Sequence, residues 1–168
     1  MSEAKNKVRW CLNKAEKEKS QGGKHRGLIK TMPDKVLARQ HLDKAEHNLT
    51  VFLANKKMGF YDWTISMAFY VMYHCCLAIL AKQGYESRNQ ECTLALIGHF
   101  IEEKQLDEDF KRYLEAFQSN VKKEEEQILP MREKYQYTPV TEIDRQKVEE
   151  LQTICQDILK DTKGILQD

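Results

Sequence analysis

The segment from Phe60 to Leu80 constrains the fold of this chain more than any other, because it is long, apolar and rich in aromatic residues. Tyr70, Tyr73 and His74 lie within it and carry polar tips, which need hydrogen-bonding partners when buried. The sequence predicts either the central helix of a helical bundle, or that helix with a small polar site built into it. The apolar residues spaced on or near one helix face are Ile65, Ala68, Phe69, Met72, Leu77 and Leu80.

Length and composition favour one helical domain. The chain has 168 residues, of which 41% are hydrophobic and 32% charged, as is typical of a soluble globular protein. Its seven glycines and three prolines are few for a turn-rich β fold and favour long helices. The longest apolar run, residues 65–81, is interrupted by His74 and other polar tips. We therefore expect it to be too short and too polar to span a membrane.

The cysteines are odd in number and show no C-x-x-C spacing. This pattern predicts neither a disulfide framework nor a zinc site, and reduced thiols in a cytosol are the simplest interpretation. The charged N-terminus has no signal-peptide pattern, which also favours a cytoplasmic protein. His41 and His47 are off the i, i+4 spacing of a helical metal pair, so we expect no metal and no cofactor. The five cysteines are Cys11, Cys75, Cys76, Cys92 and Cys155.

The helix signals divide the chain into two units. Residues 1–33 are predicted to form a basic N-terminal helix, at 2–19, followed by a linker that ends at Pro33. Residues 34–168 are predicted to form an all-α, up-and-down bundle of about five helices. The sequence shows no clear pattern of β-strands. The helices of the bundle are predicted at 35–57, 62–83, 91–103 and 107–129, and from Thr141 to about residue 164.

Particular residues are expected to begin and end these helices. Asp34 and Asp62 are the predicted N-caps of the first two bundle helices, and Gly59 and Gly84 are expected to end them. Pro130 is expected to end the helix at 107–129. The segment 131–140 is then predicted to be a connection or a broken helical turn.

The charge of the chain is unevenly distributed. Residues 1–30 contain nine Lys/Arg and three Glu, a net charge of +6, whereas residues 31–168 carry −5. A basic N-terminal segment on a mildly acidic body is compatible with contact to nucleic acid, through Lys24, Arg26 and Lys30. We expect no aromatic residues for base stacking around these cations, so contact would be to backbone phosphate. The alternative is a solvated tail.

Three stretches of the sequence resemble the HEPN domain, a small helical module, and most closely its compact single-domain prokaryotic branch. The first is LDKAEHNL at 42–49, and the third is REKYQY at 132–137, which is similar to an R-x-x-A-D-Y motif. The second, GFYDWTISMAFYVMYHCCLAIL at 59–80, resembles the signature A-Y-Y-A-M-F-H-A-A-x-A-L-L. In it, 69–70 correspond to the aromatic pair and 73–74 to the aromatic–histidine pair.

The resemblance implies a helical bundle that is usually a homodimer and often works with a minimal nucleotidyltransferase in toxin–antitoxin pairs. Many members are metal-independent RNases with an R-x(4–6)-H motif, in which arginine stabilises phosphate charge and histidine moves protons. This chain has Arg132 but carries Tyr137 at the histidine position, and Gln90 stands where relatives place another imidazole. A phenol with a reference pKa of about 10 is a poor general base at pH 7.

The candidate site residues each have a structural alternative. Tyr70 and His74, at i and i+4, share a helix face and are candidates for binding a nucleotide or RNA phosphate together with Arg132 and Tyr137. The alternatives are a core histidine bonded to a carbonyl or tyrosine, and an arginine that ties a loop to the bundle.

Three hypotheses follow for function. The leading one is a non-catalytic HEPN-like protein that binds a nucleotide, RNA or a minimal nucleotidyltransferase, as a homodimer and without a membrane. The second is a toxin RNase with an atypical catalytic pair, His74 and Arg132. The third is a purely structural dimerisation module.

Overall fold

The computed structural model describes residues 2–117 and 128–167. Within these ranges the chain forms seven α-helices, one short 3-10 helix and a two-stranded antiparallel sheet. The predicted all-α bundle with an additional N-terminal helix is confirmed. The elements are α1 (Glu3–Ser20), β1 (Leu28–Lys30), α2 (Lys35–Met58), α3 (Tyr61–Lys82), β2 (Tyr85–Ser87), α4 (Gln90–Glu102), the 3-10 helix (Glu108–Phe110), α5 (Lys111–Phe117), α6 (Ile128–Tyr137) and α7 (Arg145–Gln167).

Local capping chemistry explains most of the helix ends. The Asp34 carboxylate accepts a hydrogen bond from the Leu37 N–H at 2.8 Å and caps α2, as predicted. Gly59 ends α2 in the left-handed conformation, with φ of 84°. The prediction for Asp62 is wrong, because Phe60 is the N-cap of α3 and makes no side-chain cap bond. Asp62 instead lies in the first turn, where a carboxylate complements the helix dipole.

The C-terminal third departs from the predicted boundaries. Pro130 lies inside α6 and does not end a helix there. The segment 131–140, predicted to be a connection or a broken helical turn, is therefore helical as far as Tyr137. α7 begins at Arg145, not at a Thr141 cap, and the Asp144 carboxylate accepts from the Gln146 N–H at 3.0 Å. Residues 118–127 of the predicted fifth helix lie outside the described residues.

α3 is the central helix of the bundle and packs against α2, α4, α6 and α7. Ile65, Met72 and Ile79 on it are fully buried. With 22 residues and a mean hydropathy of 1.7 in its most apolar window, α3 is long and apolar enough to cross a membrane. α3 extends beyond the apolar run at 65–81, which was expected to be too short and too polar to span a membrane. However, 72% of that window is buried inside the fold, as in the core helix of a soluble protein.

A small sheet joins the N-terminal unit to the bundle, although the sequence predicted no strand. β1 pairs antiparallel with β2, with Leu28 opposite Ser87 and Lys30 opposite Tyr85. Strands of three residues are too short for a periodic sequence signal. Gly84 allows the residue after β1 to come close to the residue before β2. Its φ is 78°, and a Cβ there would lie 2.8 Å from the Thr31 carbonyl oxygen.

A disulfide between Cys11 and Cys92 corrects the expectation of reduced thiols. It connects α1 to α4 across 81 residues of sequence, and both cysteines are fully buried. Cys75, Cys76 and Cys155 are free and buried. The odd number of cysteines gave no pairing signal, because the two partners meet only when α1 packs on α4.

Candidate nucleic-acid interface

The guanidinium of Arg132 in α6 lies close to two aromatic rings of α3. Its Cζ atom lies 4.5 Å from the ring centroid of Phe69 and 5.5 Å from that of Tyr70. Phe69 is almost fully buried and Tyr70 is half-buried, so the guanidinium lies where the core reaches the surface. A cation over an aromatic face is attracted by the ring quadrupole, by about 0.5–2 kcal/mol depending on its exposure. The two rings therefore fix the position of the arginine.

The guanidinium keeps N–H donors for hydrogen bonding beside these rings, because it carries five of them in one plane. Nε of Arg132 donates to Oε1 of Gln136, one helical turn further along α6, at 3.1 Å. The two Nη groups lie in the same plane and match the spacing of two phosphate oxygens. An arginine oriented in this way is suited to bidentate recognition of a phosphate.

Tyr73 continues the aromatic cluster along α3. Its ring is stacked on that of Phe69, with centroids 5.6 Å apart and an interplanar angle of 14°. The Tyr73 hydroxyl lies 3.5 Å from Oγ1 of Thr93. Burial raises the pKa of the Tyr73 phenol, against the opposing effect of the Thr93 hydrogen bond. The phenol is therefore neutral at pH 7 and acts as a structural group, not as a base.

His74 pairs with His41 of α2, and we call these two residues the histidine pair. Their Nδ1 atoms are 3.0 Å apart and their ring centroids 5.3 Å apart. One Nδ1–H must donate to the lone pair of the other Nδ1, so the bond requires at least one neutral imidazole. Burial, followed by the positive charges of His41 and Lys44, lowers the pKa of His74 to about 4. Burial also lowers the pKa of His41, so both rings are neutral at pH 7.

Sequence reasoning missed His41 as the partner of His74, because the two are 33 residues apart on different helices. One signal was available. His41 is three residues after Ala38 and four before Ala45, both buried, so it falls in the inward-facing stripe of α2. A histidine in that stripe needs a polar partner from the neighbouring helix.

The structure brings some of the predicted site residues together and leaves others apart. Arg132 contacts Tyr70, and His74 follows Tyr70 by one turn on the same face of α3. Tyr137 is 71% exposed, and five residues along α6 rotate its side chain by about 140° from that of Arg132. Tyr137 therefore does not face the rings beside which Arg132 lies.

The predicted basic residues of the N-terminal unit lie on its surface. Lys24 and Arg26 are exposed in the turn between α1 and β1, and the Arg26 N–H donates to the Glu18 carboxylate. Lys30 is exposed on β1, with its Nζ 5.9 Å from the centroid of the Tyr85 ring. The expectation that no aromatic residue lies near these cations is therefore wrong for Lys30.

In the parts of the chain that the structure describes, no group of three or more His, Cys, Asp or Glu side chains could hold a metal ion. The histidine pair supplies two nitrogen atoms already joined to each other by a hydrogen bond. A structural zinc site normally takes four ligands. The candidate site thus consists of the Arg132 guanidinium, the aromatic rings beside it and the two neutral imidazoles of the histidine pair.

Comparison with known proteins assigns the family. A search of curated protein sequences gives no match. The family model of the HEPN domain matches residues 38–165, which include most of α2, all of α3, α4, α5 and α6, and nearly all of α7. The matched range contains Arg132 and the histidine pair, and it excludes α1 and β1. Since the match covers most of the chain, this protein belongs to the HEPN domain family.

Proposed function

We propose that this protein is a non-catalytic HEPN-domain protein of the cytoplasm that binds RNA or a nucleotide through Arg132 and the adjoining face of α3. The observation that carries the proposal is the position of the Arg132 guanidinium beside the rings of Phe69 and Tyr70. A guanidinium oriented by aromatic rings loses less side-chain entropy on binding a phosphate than a freely moving one. Tyr70 is half-exposed beside it and offers a π face for a base.

The histidine pair supports binding better than catalysis. A general acid must be protonated at the working pH, and the pKa of His74 near 4 leaves that imidazole neutral at pH 7. The family's R-x(4–6)-H motif is also incomplete, because residues 137–139 after Arg132 are Tyr, Thr and Pro. Neither the histidine pair nor the incomplete motif at Arg132 provides the matched acid and base that cleavage of an RNA phosphodiester needs at pH 7.

We further propose that the protein acts as a homodimer and as the partner of a minimal nucleotidyltransferase in a toxin–antitoxin-type pair. Family membership supports this role. Exposed apolar side chains around the α2–α3 connection give it a physical basis: Met58 is 68%, Phe60 51% and Trp63 54% exposed. Neighbouring exposed apolar residues favour contact with another protein surface.

The binding proposal is tested by titrating the wild-type protein and variants with short single-stranded RNA and with nucleotides, using calorimetry. Arg132→Ala is expected to weaken binding by about tenfold to a hundredfold, the range for loss of a charge-assisted bidentate contact. Arg132→Lys is expected to recover little, because lysine keeps the charge but not the planar donor pair.

Lys134→Ala is the matched control. It removes one positive charge from the same helix, two residues away, at a side chain that lies over Tyr135. If both alanine variants lose affinity equally, the effect is general electrostatics and the assigned site is wrong. If wild-type protein binds neither RNA nor nucleotides, only the role as a protein partner or a structural dimer remains.

RNA cleavage is the second candidate, and the observation that favours it is the second imidazole beside His74. Two histidines divide the roles of base and acid in a metal-independent reaction when one of them is protonated at the working pH. Incubation of RNA with the protein in EDTA decides between the candidates. Cleavage that is lost in both His41→Ala and His74→Ala would establish the RNase, and intact RNA would eliminate it.

A further inference from the structure

α1 lies outside the range matched by the HEPN family model, yet it is fixed to the bundle. Its inner face buries Val8, Cys11 and Ala15, and the Cys11–Cys92 disulfide connects it to α4. The backbone of Gly27 also packs closely on α1, where an added Cβ would overlap the Cys11 carbonyl oxygen. The outer face of α1 is therefore presented in a constant orientation, as a binding surface requires.

That outer face carries a half-exposed tryptophan between lysines. Trp10 is 49% exposed, and the Nζ atoms of Lys7 and Lys14 lie 4.6 Å and 5.1 Å from its ring centroid. Lys17 follows Lys14 at i+3 and is exposed. These four residues recur at helical spacing and form one line about 15 Å long, which we call the Trp10 stripe.

We propose that the Trp10 stripe is a binding site for single-stranded nucleic acid, separate from the Arg132 site. An unpaired base stacks on the indole of Trp10, while Lys7, Lys14 and Lys17 contact the phosphates on either side. This pairing of an aromatic platform with a line of cations is the general means by which proteins bind single strands without reading sequence. The two lysines that now lie over the ring are partly exposed, so their ammonium groups can move to phosphate oxygens when a base takes their place.

The charges around the stripe favour a polyanion. Residues 1–30 carry a net charge of +6, and the Glu18 carboxylate is occupied by the backbone N–H of Arg26. Glu91 of α4 faces the stripe and pairs with Lys7 at 2.7 Å, and Glu3 lies one turn before Lys7. The net charge of +6 already includes Glu3 and Glu18, so adding Glu91 leaves +5 and the region stays cationic.

A lipid surface fits the same helix less well. Membrane-surface helices bury a continuous apolar face in the headgroup region. On α1 the apolar face is already used against the bundle, and Trp10 is the large hydrophobic residue exposed on the outside. One indole between ammonium groups matches a base between phosphates more closely than it matches an acyl layer.

The experiment uses the fact that the chain has two tryptophans, both about half-exposed: Trp10, and Trp63 at 54%. Trp63→Phe leaves Trp10 as the sole indole, and Trp10→Phe leaves Trp63. Each variant is titrated with a short oligouridylate at low salt while tryptophan fluorescence is recorded. We expect strong quenching in Trp63→Phe and little change in Trp10→Phe. Equal quenching, or quenching of Trp63 alone, would overturn the proposal.

Affinity measurements complete the test. Trp10→Ala is expected to weaken binding of oligouridylate about tenfold, in the range for loss of one stacked base. Val36→Ala, at an exposed apolar position of α2, is expected to leave it unchanged. Lys14→Ala with Lys17→Ala should lower the dependence of affinity on salt. A DNA strand and an RNA duplex of matched length serve as further arms. A similar affinity for the single DNA strand identifies general single-strand binding, and equal affinity for the duplex contradicts stacking.

The two nucleic-acid proposals fail independently. If Arg132→Ala weakens RNA binding but oligouridylate still quenches Trp10, the Arg132 site and the Trp10 stripe are separate contacts. Unchanged affinity in Trp10→Ala would refute the stripe, whatever Arg132→Ala shows. A response of Trp10 fluorescence to anionic lipid vesicles, with none to oligouridylate, would also refute it.

Discussion

α1 and α3 are long helices of similar length, but they are attached to the protein in different ways. α3 has 22 residues, of which 13 are buried, and it packs against α2, α4, α6 and α7. α1 has 18 residues, of which three are buried, and one of those three forms a disulfide with α4. Since each fully buried large apolar side chain contributes about 1.5–3 kcal/mol, packing alone secures α3. α1 depends on a narrow contact reinforced by a covalent bond.

The largest effect is expected from a cavity in α3. Ile65 is fully buried, and Ile65→Ala should lower the free energy of unfolding by about 2–5 kcal/mol, through lost burial and an unfilled cavity. The measurement is urea unfolding followed by circular dichroism. Val36→Ala, at an exposed position of the neighbouring α2, should change the stability by about 0.5 kcal/mol or less. A small effect of Ile65→Ala would show that α3 is not the packing centre.

The Cys11–Cys92 disulfide should be the next largest contribution, and its effect should be local. Replacing both cysteines by alanine is expected to destabilise the docking of α1 by about 2–4 kcal/mol. Hydrogen exchange should then rise in α1, while amides of α2 and α3 keep their protection. Adding a reductant to this double variant should change nothing further, because the three other cysteines are free thiols. Equal loss of protection throughout the bundle would show that α1 is an integral part of the core.

These two helices also show what could be predicted from the sequence. The core of α3 was predictable, because its apolar spacing and the glycines at both ends act over a few residues. The disulfide was not, since Cys11 and Cys92 are 81 residues apart and meet only in the folded chain. The three-residue strands were missed for the same reason. Their pairing is fixed by the close approach of Gly84 to Thr31 and not by a local pattern.

The residues of the candidate site were also only partly predictable from the sequence. Tyr70, His74 and Arg132 were identifiable as polar groups in the family-like motifs, and the structure does bring Arg132 to Tyr70. His41 was not, because its partner lies on another helix. Trp10 was missed as well, since helical spacing alone does not tell an exposed tryptophan from a buried one.

The histidine pair makes the α2–α3 contact sensitive to pH. The pKa of His74 is about 4 in the folded protein, and that of His41 is lowered too, against a reference value near 6.5. Between these values the unfolded chain binds more protons than the folded one, so stability should fall as the pH decreases from 6.5 to 4. Thermal unfolding across this range should show a steeper loss in wild-type protein than in His74→Ala. His47→Ala, at an exposed histidine of α2, should follow the wild type.

If the His74→Ala protein loses stability with acid as steeply as the wild type, carboxylates elsewhere control the transition and the pair contributes little. A nuclear magnetic resonance titration of the imidazoles gives an independent reading. We expect the titration of His74 to have its midpoint near pH 4. A midpoint near 6.5 would show that His74 does not pair with His41 in solution.

The smallest effects are expected at the N-terminal caps of α1 and α2. The Ser2 hydroxyl accepts from the Lys5 N–H at 3.2 Å and begins α1, while the Asp34 carboxylate begins α2. Loss of either cap by substitution with alanine should cost about 0.5–2 kcal/mol. In Asp34→Ala this cost should appear in global unfolding, because α2 is part of the packed bundle. In Ser2→Ala it should appear as faster hydrogen exchange in α1, with the urea midpoint unchanged. Equal shifts of the midpoint would mean that α1 and the bundle unfold as one cooperative unit, and that the disulfide reinforces a contact which packing already secures.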